Sequence, residues 1–221
     1  MNTRGMALIT GLLLLAAISL LALVGASGMI LQRHMASNFK HDASALQNAE
    51  LAQAEGRAWL FSRANHEREP NCATECLLPT AIHPAQQLPA LVEFESPAWW
   101  QLNAIEAGMD PATGLAVSDY AFDHSSAPRW IIEELHFQPL ELEPPLNTTQ
   151  GVGYYRIFGR GSGGGSHSFA VTEAIVARPW GDSFVPQAYP ATEDGVRFCE
   201  QLDEVARPLL DCGTQAWRQR R

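Results

Sequence analysis

The sequence predicts an α+β fold in which one long N-terminal α-helix packs on an antiparallel β-sheet. Three observations support this fold class. No charged side chain occurs from Met6 to Leu31, and the stretch from Gln32 to Arg63 is rich in good helix formers. The later sequence alternates proline-rich stretches with short segments rich in aromatic and β-branched residues. Together these features place a helix first and a sheet after it.

The apolar run from Met6 to Leu31 is long enough to cross a membrane core of about 30 Å as a helix. Its Leu, Ile and Val side chains favour insertion by roughly 4 to 8 kcal/mol. A cleaved signal peptide is disfavoured, because its apolar core is only about 7 to 15 residues long. Ala22, Ala26 and Gly28 resemble a cleavage site, yet the apolar pattern continues beyond them. A plain membrane anchor remains the alternative.

The helix is expected to continue past the apolar run. The stretch from Gln32 to Arg63 contains no proline and one glycine, Gly56, and its apolar residues follow an imperfect 3.6-residue period. We therefore predict one helix from about Met6 to Arg63, with a transmembrane half followed by an amphipathic half. Pro70 and Asn71 then close it, since proline cannot continue a helix.

The remainder is expected to form one globular domain, residues 69–221. Candidate strands are Trp130 to Phe137, Val152 to Phe158 and Phe169 to Ala177. The segment from Leu88 to Leu102 is ambiguous. Residues 69–217 hold six basic and twenty acidic side chains, which disfavours nucleic-acid binding. A solvated acidic face is the simplest interpretation; a basic partner or calcium stays open, although no loop has EF-hand spacing.

The N-terminal pattern resembles that of type IV pilins and type II secretion pseudopilins. Within that superfamily the chain is most similar to PilX-type minor pilins. The similarity rests on a basic leader ending in glycine, the apolar helix and several later segments: Arg4-Gly5-Met6-Ala7-Leu8-Ile9, Gln32 to Asn38, Ala49-Glu50, Trp130 to Leu135, Tyr155 to Ile157 and Gly159 to Gly161.

The resemblance implies processing and location. A prepilin peptidase is expected to cut between Gly5 and Met6 and to N-methylate Met6. Residues 1–5 are then the leader, 6–31 the transmembrane and filament-core helix, 32–68 its amphipathic continuation and 69–221 the globular pilin domain. The chain is expected in the inner membrane as a single-pass protein with a periplasmic soluble domain, and in the pilus on the cell surface. Motility, adhesion or DNA uptake would be a function of the whole pilus and not of this subunit alone.

The fifth residue after the expected cut is Thr10, where most pilins have glutamate. That glutamate is thought to pair with the N-terminal amine of a neighbouring subunit in apolar surroundings. Family members without it are assigned to the filament tip or the initiating complex. The resemblance therefore implies other minor pilins, the major pilin and a PilY-type tip adhesin as partners. A GspK-like pseudopilin of type II secretion and a membrane-anchored periplasmic binding domain are the alternatives.

The four cysteines, Cys72, Cys76, Cys199 and Cys212, suit an oxidising compartment and two disulfides, with three connectivities open. The resemblance favours a Cys199–Cys212 bridge, as in the clamped C-terminal region of many pilins, with Cys72 paired to Cys76. Zinc binding by all four is the alternative, with unusual spacing.

No motif predicts an enzyme or a cofactor. The segment Gly159 to Gly164 satisfies G-x-G-x-x-G, but a dinucleotide site also needs a following helix and a βαβ unit. A mobile hairpin loop is the preferred interpretation. No G-x-S-x-G or H-E-x-x-H occurs, and the seven histidines are scattered. Trp99, Trp100 and Trp130 could form a sticky surface, but are expected in the core.

Overall fold

The computed structural model describes residues 3–68, 81–118, 127–139, 150–164, 168–181, 184, 186, 189, 199 and 211–220. The helices in order are α1 (Thr3–Ser62), the 3-10 helices η1 (Asn65–Arg68) and η2 (Val92–Phe94), and α2 (Pro97–Asn103). The strands are β1 (Ile105–Glu106), β2 (Arg129–Pro139), β3 (Gly151–Ser162), β4 (Phe169–Trp180) and β5 (Gly213–Arg220). The predicted α+β class is confirmed.

The chain forms two compact units, which we call the N-terminal unit (Met1–His41) and the globular unit (Asp42–Arg221). Helix α1 contributes to both. It ends at Ser62, one residue before the predicted end. The expected stop at Pro70 and Asn71 lies outside the described residues. No residue of the second half of α1 breaks the helix, because that half contains no proline.

The sheet of the globular unit is antiparallel throughout, with its five strands in the order β1-β2-β3-β4-β5. Its three long strands contain the three segments predicted from the sequence, and each extends beyond the predicted bounds. Successive side chains point to opposite faces, so one face of β3 carries Tyr155 and Ile157 and the other carries Phe158. Strand β5 was not predicted.

The second half of α1 covers one face of this sheet. Ala45, Ala49 and Ala52 are buried at the spacing of one helix face, and Trp59 stacks on Trp130 with ring centroids 5.4 Å apart. This confirms the amphipathic half of the predicted helix. The main core lies at this interface and comprises Ala52, Trp59, Leu60, Phe61, Ile82, Ala107, Trp130, Ile132, Tyr155, Ile157, Ala174, Val176 and Trp180.

Two glycines bring α1 unusually close to β3. A Cβ atom at Gly159 would overlap the carbonyl oxygen of Ala49, and one at Gly161 would overlap Ala49 N and Ala45 O. The side chain of Asn48 donates to Ser162 O at 2.8 Å across the same contact. The glycines therefore serve helix–sheet packing.

This arrangement corrects the loop interpretation of the glycine-rich segment. Residues 159–162 belong to β3, and the expected hairpin turn follows them, with Gly163 N donating to Ser168 O at 2.8 Å. Strand β4, not a helix, comes next. A dinucleotide site needs a helix N-terminus at that point, so the nucleotide alternative is wrong.

The segment from Leu88 to Leu102, ambiguous in the sequence, covers the opposite face of the sheet. It contains η2 and α2, which begins after Ser96, whose Oγ accepts from Trp99 N at 3.1 Å. Trp100 donates through Nε1 to Val92 O at 3.3 Å. A second core cluster forms there from Leu88, Val92, Trp100, Ala104, Ile131, Phe158 and Val171. Trp100 and Trp130 are thus core residues, as predicted.

The end of α1 is held by a buried arginine. The guanidinium of Arg178 donates to the carbonyl oxygen of Arg63 and lies 3.3 Å from the ring centroid of Trp180. Burial lowers the pKa of Arg178 to about 9. A cation beside the last carbonyl groups of a helix interacts favourably with the negative end of the helix dipole. This interaction offsets part of the cost of burying the charged guanidinium.

The predicted C-terminal disulfide is present. Cys199 and Cys212 are bonded, with their Cα atoms 5.7 Å apart, immediately before β5. Their sulfurs are therefore not thiolate ligands of a zinc ion. Cys72 and Cys76 lie outside the described residues, so their pairing stays a prediction.

Candidate assembly surface

The N-terminal unit exposes an apolar helix surface. All described side chains from residue 9 to residue 31 are exposed in the isolated chain, including Leu12, Leu21 and Leu31. The helix is long and apolar enough to cross a membrane, with a mean hydropathy of 2.5 in its most apolar window. Exposing so many Leu side chains to water is costly, at about 25 cal/mol per Å². Lipid or other apolar helices around this surface would remove that cost.

The predicted processing residues lie at the start of this helix. Gly5 and Met6 fall within α1, and Thr10 follows one turn later with an exposed side chain. No acidic residue occurs between Met6 and Leu31. Cleavage between Gly5 and Met6 stays a prediction, and the structure assigns no chemistry to these positions.

Small residues on the helix leave room for neighbours. A Cβ atom added at Gly11, Gly25 or Gly28 would meet no atom within 4 Å, apart from the neighbouring residues and the local helix backbone. Packing within the chain therefore does not require glycine at these three positions. Glycine in a helix interior costs about 1 kcal/mol relative to alanine, while small residues allow apolar helices to approach closely. The glycines would allow another apolar helix to approach α1 closely.

Among the described residues, several carboxylates of the sheet are paired with arginines. Glu133 is fully buried and paired with Arg156. Glu173 accepts from Arg218 at 2.7 Å and from Arg220 at 3.2 Å. Among the described residues no cluster of three or more His, Cys, Asp or Glu side chains is arranged to hold a metal ion. These charges fasten strands to one another.

Two tyrosines have hydroxyls that burial keeps neutral. Trp180 donates through Nε1 to the Tyr155 hydroxyl at 2.9 Å, and Tyr189 donates its hydroxyl to Glu55 at 3.0 Å. Burial raises the pKa of both tyrosines above the ordinary value of 10, and for Tyr189 the Glu55 carboxylate adds to this effect. Both hydroxyls hold elements of the core together.

The described residues of the globular unit line surface openings of different size. The smaller, about 120 Å³, lies between α1 and the sheet and includes Glu50, Arg57 and Trp217. The larger, about 390 Å³, includes Glu93 and Phe94. The sequence did not indicate these openings, because exposed aromatic residues look the same as core residues in a sequence.

The N-terminal part of the chain resembles a known protein family. The family model described as PilX N-terminal matches residues 4–53. That segment contains the apolar half of α1 and the first buried alanines of its docked half. No curated protein matches the chain. No solved structure matches it.

Proposed function

We propose that this chain is a PilX-type minor pilin of the type IV pilus, and that it primes pilus assembly at the filament tip or in the initiating complex. The observation that carries the proposal is the family match over a helix whose apolar half is exposed along its described length. Pilins of this type are structural subunits.

The apolar helix is the part that enters the filament. Before assembly it holds the chain in the inner membrane, with the globular unit in the periplasm. During assembly the lipid around the apolar helix is replaced by the helices of other minor pilins and of the major pilin. Lipid is as apolar as Leu, so association depends on close packing, which Gly11 and Gly25 allow. A prepilin peptidase would first cut after Gly5 and free the amine of Met6.

Thr10 is the reason to place the subunit at the tip. A subunit whose fifth mature residue carries no carboxylate cannot neutralise the N-terminal amine of a neighbouring subunit in an apolar core. The first subunit of a filament has no earlier neighbour, so it does not need this pairing. At the tip the globular unit would contact other minor pilins and a PilY-type adhesin.

Labelling of filaments tests the tip position. The native chain, carrying an epitope inserted at the exposed residue Gly114, is expected as one label at the end of each sheared pilus. Thr10→Glu is expected to add label along the filament, because a carboxylate can now pair with a neighbouring amine. Thr10→Gln, of the same size without charge, is the matched control and should keep the native distribution.

Label spread along filaments formed by the native chain would contradict the tip position. The deletion phenotype separates the two machines that use this helix. Loss of surface pili with normal protein secretion supports the pilus, whereas normal pili with a block in type II secretion would replace this proposal with the pseudopilin alternative.

A further inference from the structure

Three exposed apolar side chains of the globular unit lie close together where β4 begins. Phe94 is 69% exposed, Phe169 is 51% exposed and Leu91 is 55% exposed. Phe94 and Phe169 both line the larger opening, and Leu91 O accepts from Phe94 N at 3.1 Å. We call these three residues the apolar patch. A whole Phe side chain has roughly 200 Å² of surface, so the two rings leave roughly 240 Å² in water.

The apolar patch borders the point where the chain leaves the globular unit. Asp42 is the first residue of that unit and lines the same opening as Phe94 and Phe169. Its Oδ1 also accepts from the hydroxyl of Ser168, the neighbour of Phe169, at 3.0 Å. The residues just before Asp42 therefore connect this part of the globular unit to the apolar segment of α1.

The connection between the patch and the apolar segment is short. Only residues 32–41 separate Asp42 from Leu31, the last residue of the uncharged run. Even a fully extended chain of this length reaches no more than about 40 Å. Once the apolar segment lies in a bilayer, the patch therefore stays close to the lipid surface. Such a short tether acts as a high effective concentration, so that a weak contact with lipid is enough for docking.

The charged groups beside the patch are compatible with a lipid surface. Arg220 lies 3.4 Å from Glu93 and 3.2 Å from Glu173, so these two carboxylates are paired. The guanidinium of Arg160 lies 5.3 Å from the ring centroid of Phe169. An aromatic ring with an arginine beside it suits the membrane interface, because the ring enters the acyl boundary while the guanidinium stays among the phosphates.

We infer that the apolar patch docks on the surface of the lipid bilayer before the subunit is assembled, with Phe94 and Phe169 at the boundary between headgroups and acyl chains. Exposed apolar patches mark protein or membrane interaction sites, and the short connection to the apolar segment favours lipid as the occupant. The inference rests on the membrane location given in the proposed function. It adds a second contact with that membrane, made by the globular unit itself.

Fluorine NMR of the full-length chain in lipid nanodiscs tests this contact. A trifluoromethylphenylalanine is placed singly at position 94, 169 or 137, and a lipid with a spin label on its acyl chain is included in the nanodisc. The spin label broadens the signals of fluorines close to the lipid, so the signals at Phe94 and Phe169 should broaden. Phe169 pairs with Ser162 at one end of β3, whereas Phe137 pairs with Gly153 toward the other end. Phe137 is therefore the internal control, and its signal should keep its width.

Two variants test whether docking depends on the patch. Phe169→Ser should lower the ratio of docked to undocked chains about tenfold, the effect of losing one buried Phe side chain, and the signal at position 94 should narrow. Leu115→Ser removes an exposed apolar side chain outside the patch and should leave that signal unchanged. Phe169 and Leu115 are both more than half exposed, so neither change should disturb folding.

A fluorine label at Leu21, within the apolar segment, separates failure of this inference from failure of the proposed membrane location. Broadening at position 21 without broadening at positions 94 and 169 overturns the inference alone. An unbroadened signal at position 21 overturns the membrane location, and the inference with it. The inference is also overturned if position 137 broadens as much as position 94. The same holds if the signals change only when a nanodisc contains more than one chain, because the patch would then be a contact between copies.

Discussion

Replacing Gly161 by alanine should loosen the whole contact between α1 and the sheet. The added Cβ would overlap the main chain of Ala49 and Ala45, which cannot rotate away as a flexible side chain could. The helix has to withdraw by roughly 1 Å to restore an ordinary contact distance of about 3.5 Å. Gly161 has no left-handed backbone conformation, so the effect is steric rather than conformational.

The loss of stability can be worked out from the contacts that are lost when α1 moves away from the sheet. Overpacking of a close contact costs about 1 to 3 kcal/mol. The hydrogen bond from Asn48 to Ser162 O, now 2.8 Å long, is worth about 1 kcal/mol. Alanine lowers the conformational entropy of the unfolded chain relative to glycine, which stabilises the folded variant by about 0.4 to 1 kcal/mol. We expect a net loss of about 1 to 3.5 kcal/mol in the free energy of unfolding, a substantial share of the 5 to 15 kcal/mol of an ordinary domain.

Denaturant unfolding of the full-length chain in detergent measures this loss. Trp59, Trp100, Trp130 and Trp180 are buried, so their fluorescence reports on both faces of the sheet. Gly28→Ala is the matched control, because an added Cβ there meets nothing within 4 Å. An unfolding free energy of Gly161→Ala within about 0.5 kcal/mol of the native value would refute the packing argument.

Three further predictions use the same unfolding assay. Tyr155 has a raised pKa in the folded chain, so its contribution to the free energy of unfolding is complete below pH 10 and is lost as the pH rises above 10. Above pH 10 the native chain should lose about 1.4 kcal/mol of unfolding free energy per pH unit relative to Tyr155→Phe. Parallel curves of unfolding free energy against pH for the two chains would contradict this. Replacing both Cys199 and Cys212 by serine should cost about 3 kcal/mol, whereas an unchanged midpoint would show that the bridge adds no stability. Ser96→Ala removes the cap of α2 and should cost about 1 kcal/mol, and Ser96→Asp, which keeps a capping oxygen, should restore most of it.

The elements that the sequence predicted are those with a marked pattern of composition. The helix to Ser62 follows from its apolar run and its good helix formers, and the three long strands follow from their aromatic and β-branched residues. Strand β5 has no such pattern. Its residues Thr214 to Arg218 are exposed, and it is held by ladder bonds to β4 and ion pairs to Glu173. The sequence of an edge strand of this kind has little pattern from which the strand could be predicted.

The candidate site was predictable only where a motif marks it. Gly5, Met6 and Thr10 are positions in a linear motif, so the sequence alone proposes them. The role of Gly159 and Gly161 depends on which helix residues lie opposite, and that contact joins residues more than a hundred positions apart. The larger opening, which includes Glu93 and Phe94, likewise joins distant segments, and no local signal distinguishes its exposed aromatic residues from core residues.

Mass spectrometry of the mature chain tests the central proposal most directly. Intact mass and N-terminal peptides are measured on protein from the native host, with and without its prepilin peptidase. The account predicts a chain that begins at N-methylated Met6, and an uncut chain when the peptidase is absent. A native chain that keeps residues 1–5, or one cut near Ala26, would contradict assembly as a pilin and leave an anchored or secreted domain.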